Sequence, residues 1–183
     1  MTFPITYFLT TTITFTWRRE IMPRKKILIV DDVKDWRDQL RSILKRSGYT
    51  VDAAKTYPEA LEKTHRNRPD LVIVDLRLDP TDEDNRDGMK LLEALAKQRI
   101  NALVLSGYGT SALMKKAESL QAVCFLKKNI SLDTLKSVIK TIFSEVEKRE
   151  LYRAKTTREF YTGKAVGYSH EAAGYPLRET LNQ

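Results

Sequence analysis

Lys26-Ile27-Leu28-Ile29-Val30-Asp31-Asp32 is an apolar run that ends in two adjacent carboxylates. Consecutive β-favouring residues of this kind read as a strand buried on both faces, the pattern of a parallel α/β sheet. At the carboxyl end of such a strand the chain emerges into the crevice where open α/β sheets bind ligands. Two like charges placed side by side there repel each other and are most easily kept when a cation sits between them. Oxygen-only ligation at a strand tip suits Mg²⁺, which takes one or two carboxylates and retains several waters.

Working outward, apolar β-rich runs recur at 27–31, 49–53, 71–75, 102–106 and 122–126, with helical patterns between them. The first helix places Val33, Trp36, Leu40, Ile43 and Leu44 on one face and stops at Gly48, a helix-ending residue. A second covers about 57–67. A third carries Met89, Leu92, Leu95 and Ala96 after Asp87-Gly88, and a fourth, short one lies near 111–119. The fifth carries Leu132, Leu135, Ile139, Ile142 and Val146 at three- and four-residue steps, with Ser131, Asp133 and Thr134 at its start. Strict strand–helix alternation implies a doubly wound, five-stranded parallel sheet with right-handed crossovers and helices on both faces.

Parallel strands present all their carboxyl ends on one side. Strand three closes on Asp75, strand four on Ser106, and strand five on Lys127-Lys128. An acid pair, a third acid, a hydroxyl and an amine therefore meet at one edge of the sheet. Phosphoryl transfer to a carboxylate fits that set: Asp75 as nucleophile, with Asp31, Asp32 and Asp75 holding Mg²⁺ to neutralise the transferring group. A lysine is a natural point-charge partner for a phosphoryl oxygen, and the Ser106 hydroxyl can donate to another.

With these pieces in place the chain resembles the receiver domains of two-component response regulators. The resemblance rests on Ile-Leu-Ile-Val-Asp-Asp at 27–32, Pro-Asp-Leu-Val-Ile-Val-Asp at 69–75, Asp-Gly-Met at 87–89, Val-Leu-Ser at 104–106 and Phe-Leu-Lys-Lys at 125–128. It spans residues 25 to about 147 and implies a flavodoxin-like (βα)5 receiver fold. It further implies an Mg²⁺ site built from Asp31, Asp32, Asp75 and the backbone carbonyl of Arg77. Asp75 becomes the phospho-acceptor, Ser106 and the lysine read the phosphoryl group, and Phe125 acts as an aromatic rotamer switch. Aligning Phe125 with the family's aromatic selects Lys128 over Lys127. Asn129 then stands where the family has proline, which leaves open whether the Lys128–Asn129 bond is cis. Asp87-Gly88 also lies several residues further from Asp75 than is usual. The positions flanking the attacking water fall on Arg77 and Tyr108, neither of which offers a carboxylate or amide to orient a water, so slow loss of the phosphoryl group is expected.

The remaining composition narrows the function. A hydrophobic content of 42% with 31% charged residues belongs to a globular protein. One cysteine, Cys124, allows no intramolecular disulfide and agrees with a cytoplasmic location. His65 and His170 have no zinc-ligand spacing. The net charge of +8 is spread thinly and forms no dense basic stripe. The acidic segment 79–87 lacks the EF-hand spacing and reads as a solvated loop. Residues 1–23 read as an extension, disordered or preceding a natural start at Met22, without a membrane span or signal peptide. Residues 24–150 form the receiver domain. Residues 151–183 continue the last helix into a flexible tail too short for a DNA-binding domain, as in a stand-alone receiver. The expected partners are a histidine kinase or histidine phosphotransfer protein and an unidentified downstream protein, together with a homodimer through the helix 4–strand 5–helix 5 face. The competing readings are a receiver-fold scaffold that is never phosphorylated and a magnesium-dependent phosphohydrolase. The latter is disfavoured because Val33 occupies the third position of the Asp-x-Asp motif that such enzymes need.

Overall fold

The computed structural model describes residues 24–78, 86–107 and 110–161, with side chains through residue 154. Its elements alternate as β1 (Lys26–Val30), α1 (Lys34–Arg46), β2 (Thr50–Ala54), α2 (Tyr57–Asn67), β3 (Leu71–Val74), α3 (Asp87–Gln98), β4 (Asn101–Ser106), α4 (Ser111–Ser119), β5 (Cys124–Lys127) and α5 (Leu132–Tyr161). All strand pairs are parallel, in the order β2-β1-β3-β4-β5. This is the doubly wound, flavodoxin-like arrangement, with the order reversing beside β1.

The period of two along each strand sorts the core into two layers. Ile27, Ile29, Leu71, Ile73, Leu103 and Leu105 face α1 and α5, where they meet Leu40, Leu44, Leu135, Ile139 and Ile142. Leu28, Val30, Val72, Val74, Ala102 and Val104 face the other way, against Ala60 of α2, Leu91, Leu92 and Leu95 of α3, and Ala117 of α4. Such continuous apolar strands are what burial on both faces demands.

Local chemistry fixes the helix ends. Gly48, at φ +94, ends α1, and the Tyr49 N–H returns to the Leu44 carbonyl. Thr56 accepts from the Glu59 N–H at 3.4 Å while Glu59 accepts from the Lys55 N–H at 2.8 Å, a reciprocal cap for α2. Thr110 caps α4 and Ser131 caps α5. One expectation is corrected here. Val33 does not join the buried face of α1; it is the N-cap, with extended backbone, and is 49% exposed. The helical period applies only from Lys34 onward, so Val33 stands outside it. β2 and β5 also sit slightly later than the expected 49–53 and 122–126, while Asp31 and Asp75 fall just beyond their strands.

β2 is an edge strand, and the outward peptide groups of Ala53 are already engaged. The Thr50 N–H and Ala54 carbonyl point at β1, so by alternation Ala53 points away from the sheet. Its N–H donates to Asp52 Oδ1 at 2.8 Å and its carbonyl accepts from Lys63 Nζ. Lys63 is held in turn by Asp52 and Glu59 at 3.2 and 3.0 Å. The residues 1–23, 79–85, 108–109 and 162–183 lie outside the described residues, and with them the expectations for the extension, the acidic loop, Tyr108 and the tail.

Candidate phospho-acceptor site

The register assembles the site. Val30 pairs with Val74, so the residues that follow, Asp31 and Asp75, leave adjacent strands side by side. Ser106 pairs with Lys127, which places Lys128 one step past the tip of β5. Carboxylate oxygens of Asp31, Asp32 and Asp75 lie within 4.8 Å of one another. Asp31 and Asp75 are buried and Asp32 is half-buried.

Around them the neutralising groups converge. The Ser106 hydroxyl donates to Asp75 Oδ1 at 2.8 Å. Lys128 Nζ bridges Asp75 Oδ2 at 2.5 Å and Asp31 Oδ2 at 2.7 Å. Phe125 and Leu126 face opposite core layers, and Lys128, not Lys127, reaches the acids. No described peptide bond is cis, so Lys128–Asn129 is trans, and the amine enters the site without the proline. Phe125 is half-buried against the α2–α3–α4 layer.

Burial sets the electrostatics first. It pushes the Asp31 carboxyl above its usual range, against the opposing pull of Lys128 and of the Val33 N–H. For Lys128 burial disfavours the charge, but the hydrogen bonds and charges of Asp31 and Asp75 outweigh it and raise the ammonium above the ordinary lysine range. Three acids against one amine leave a net negative, oxygen-only cluster. That donor set fits a hard divalent cation, which takes carboxylate, carbonyl and water oxygens.

Two loops hold the acids in place. In the first, Asp31 Oδ1 accepts the Val33 N–H at 3.0 Å and the Asp31 carbonyl accepts from Arg37 Nη1 at 2.6 Å, tying the β1–α1 turn to the first turns of α1. In the second, the Arg77 N–H donates to Asp75 Oδ1 at 3.3 Å, so the Arg77 peptide lies beside the acceptor. Gly88 closes over this loop: a Cβ there would meet the Asp75 carbonyl oxygen at 2.3 Å and Leu76 Cα at 2.5 Å. Arg37 and the contact made by Gly88 were not foreseen from the sequence. Arg37 carried no motif, whereas Gly88 stood in a quoted match without a stated reason for its lack of a side chain.

A doubly wound parallel sheet with three acids, a hydroxyl and an amine at its carboxyl edge defines a receiver. The chain belongs to the response regulator receiver domain family, whose model it matches over residues 27–140. It is 26% identical over 121 residues to sporulation initiation phosphotransferase F of Bacillus subtilis, covering 65% of this chain and 94% of that protein. Among solved structures it is similar to a CheY-like receiver domain protein of Methanospirillum hungatei, with TM-score 0.64, 29% identity, and 69% of this chain and 99% of that one covered. A response regulator from Burkholderia pseudomallei, solved with a phosphorylated aspartic acid, calcium ion and citrate, gives TM-score 0.57 and 28% identity over 70% of this chain and 74% of that one. The chain spans between about a third and about half the length of the transcriptional regulators among its curated relatives. Signalling through a phosphorylated aspartate is the function of the family.

Proposed function

We propose that Asp75 accepts a phosphoryl group from a histidine kinase or histidine phosphotransfer protein, and that signal leaves through altered protein contacts. The observation that carries this is Asp75 itself, buried at a strand tip with Ser106 on one carboxylate oxygen and Lys128 on the other. In the reaction Asp75 attacks phosphorus, the phosphorus–nitrogen bond of the donor imidazole breaks, and the imidazole departs with a proton. The Ser106 hydroxyl and Lys128 ammonium then turn from the carboxylate to the phosphoryl oxygens. Asp31, Asp32, Asp75 and the Arg77 carbonyl would hold Mg²⁺, which when bound neutralises charge on the transferring group. Only self-phosphorylation and self-dephosphorylation are ascribed to the chain, with no other enzymatic activity. Residues 24–150 would form the receiver, acting in the cytoplasm; no helix among the described residues is long and apolar enough to cross a membrane.

For output, movement of Ser106 toward the phosphoryl group opens space for Phe125 and biases the face made by α4, β5 and α5. Exposed apolar groups lie on two of these elements: Met114 on α4, and Leu151 and Tyr152 on α5 past the part that covers the sheet. Dimerisation through this face is the expected readout. Light scattering of the full chain and of a version ending at Lys148, each with and without beryllofluoride, tests it; monomers throughout would eliminate the homodimer.

The chemistry is tested by incubation with Mg²⁺ and acetyl phosphate, followed by intact mass. A phosphoryl adduct absent from Asp75→Ala and from chelated protein is expected. An adduct that survives either control refutes the assignment. Slow hydrolysis is also expected, and a phosphoryl lifetime of seconds in Mg²⁺ would contradict it.

A further inference from the structure

The lysine of this site is followed by Asn129, and its peptide bond is trans. Lys128 Nζ lies 6.0 Å from the ring centroid of Trp36. Trp36 is in the first turn of α1 and packs against the α1–α5 core layer. Its Nε1 is fully buried and has no hydrogen-bond partner among the described residues. A buried indole N–H without an acceptor is a cost, and such exceptions call for a reason. It is the face of the ring, not its N–H, that meets a polar partner among the described residues. An aromatic face carries negative charge density that attracts an ammonium at this separation.

The geometry also ties the ring to the acids. Asp31 accepts the Val33 N–H and its carbonyl receives Arg37, the residue next to Trp36. One turn of α1 thus sets both Asp31 and the indole. Asp31, Asp75 and Trp36 form three walls around the Lys128 ammonium.

We propose that Trp36 is a positioning residue that holds the Lys128 ammonium at the phosphoryl site, in place of a Lys–Pro turn. This rests on the phospho-acceptor reading of Asp75. When the amine leaves the carboxylates for a phosphoryl oxygen, the ring remains a second anchor that does not move with the acids' occupancy. An aliphatic residue of similar bulk would fill the core but not attract the amine.

The test uses the full chain carrying Trp17→Phe, so that Trp36 is its sole tryptophan. Trp36→Leu should slow acetyl phosphate-driven phosphorylation about fivefold, the scale of a partly exposed cation–π contact, whereas Trp36→Phe, which retains a π face, stays within about twofold. In a Lys128→Met background Trp36→Leu should change the rate less than about twofold, because the interaction has already been removed. Equal losses in both backgrounds, or Phe no better than Leu, would overturn the proposal. An independent arm reads Trp36 fluorescence, which should shift on Lys128→Met and on Mg²⁺ addition to the parent. Emission that ignores the loss of Lys128 also overturns it, including where Trp36→Leu does not fold. If the parent takes up no phosphoryl group, the reading of Asp75 fails and the fluorescence arm alone judges Trp36.

Discussion

Lys128→Met separates the two jobs that one amine performs in this site. Without a divalent cation, Lys128 is the counter-ion to Asp31 and Asp75, whose side chains are 4% and 7% exposed, while its own is 21% exposed. Removing one partner of a buried pair costs about 3–5 kcal/mol; the partial exposure of the amine lowers this to about 2–3 kcal/mol for chelated protein at neutral pH. With Mg²⁺ saturating, the carboxylates have another partner, and the loss should shrink to about 1 kcal/mol. Closing the thermodynamic cycle, the difference of about 1.5 kcal/mol must reappear as Mg²⁺ affinity, roughly tenfold tighter in the variant. Urea unfolding in chelator and in saturating Mg²⁺, with calorimetric titration of both proteins, measures all four corners. An equal stability loss in both conditions with unchanged Mg²⁺ affinity would refute the competition between amine and metal. Phosphorylation should fall in the same variant, because the phosphoryl oxygen loses its charge partner.

Other sites give independent checks. Gly88→Ala forces a Cβ into the Asp75–Leu76 backbone and should cost about 2–4 kcal/mol in urea unfolding; a neutral result would mean that the loop yields freely. Burial raises the Asp31 carboxyl, so its protonated form is favoured by folding: its contribution is present at low pH and lost as pH rises through the folded value. Mg²⁺ must displace that proton, so apparent affinity should begin to fall at a higher pH than an ordinary carboxylate would give, and titration at several pH values detects it; a fall confined to the ordinary range would count against this. For Lys128 the sign is the same and only the window differs: its contribution is intact below 10.5 and lost as pH rises beyond it through the raised value, which alkaline unfolding of wild type against Lys128→Met should show. Lys63→Met uncovers the Ala53 carbonyl on the sheet edge and should produce concentration-dependent self-association in light scattering, with about 1 kcal/mol lost in stability; a variant that stays monomeric at high concentration would show the clasp is dispensable.

The strand tips were legible because parallel pairing needs no side-chain detail: apolar runs ending in Asp31, Asp75, Ser106 and Lys128 must present those residues together. The choice of Lys128 over Lys127 was likewise readable, by aligning Phe125 with the aromatic of the family it resembles. Trp36 was read only as a core residue, because helical phase says which face is buried and not what the edge of a buried ring meets. Arg37 escaped because a lone arginine on a charged helix gives no sign that it will turn back to the Asp31 carbonyl. The edge clasp depends on Lys63 crossing to Asp52 and Ala53, a contact that strand and helix patterns do not encode. Val33 was misplaced by extending a helical period one residue back, onto its cap.

Gly88 bears on how this domain can change over time. The chain leaves the site at Leu76 and comes back into contact with the same peptide at Gly88. Both ends of the intervening acidic stretch are therefore anchored at one point, so the number of residues between them is hidden from the acid cluster. Residues could be gained or lost there while the site keeps its dimensions. Such an excursion is a place where a signalling module can acquire a private recognition tag without retuning its chemistry.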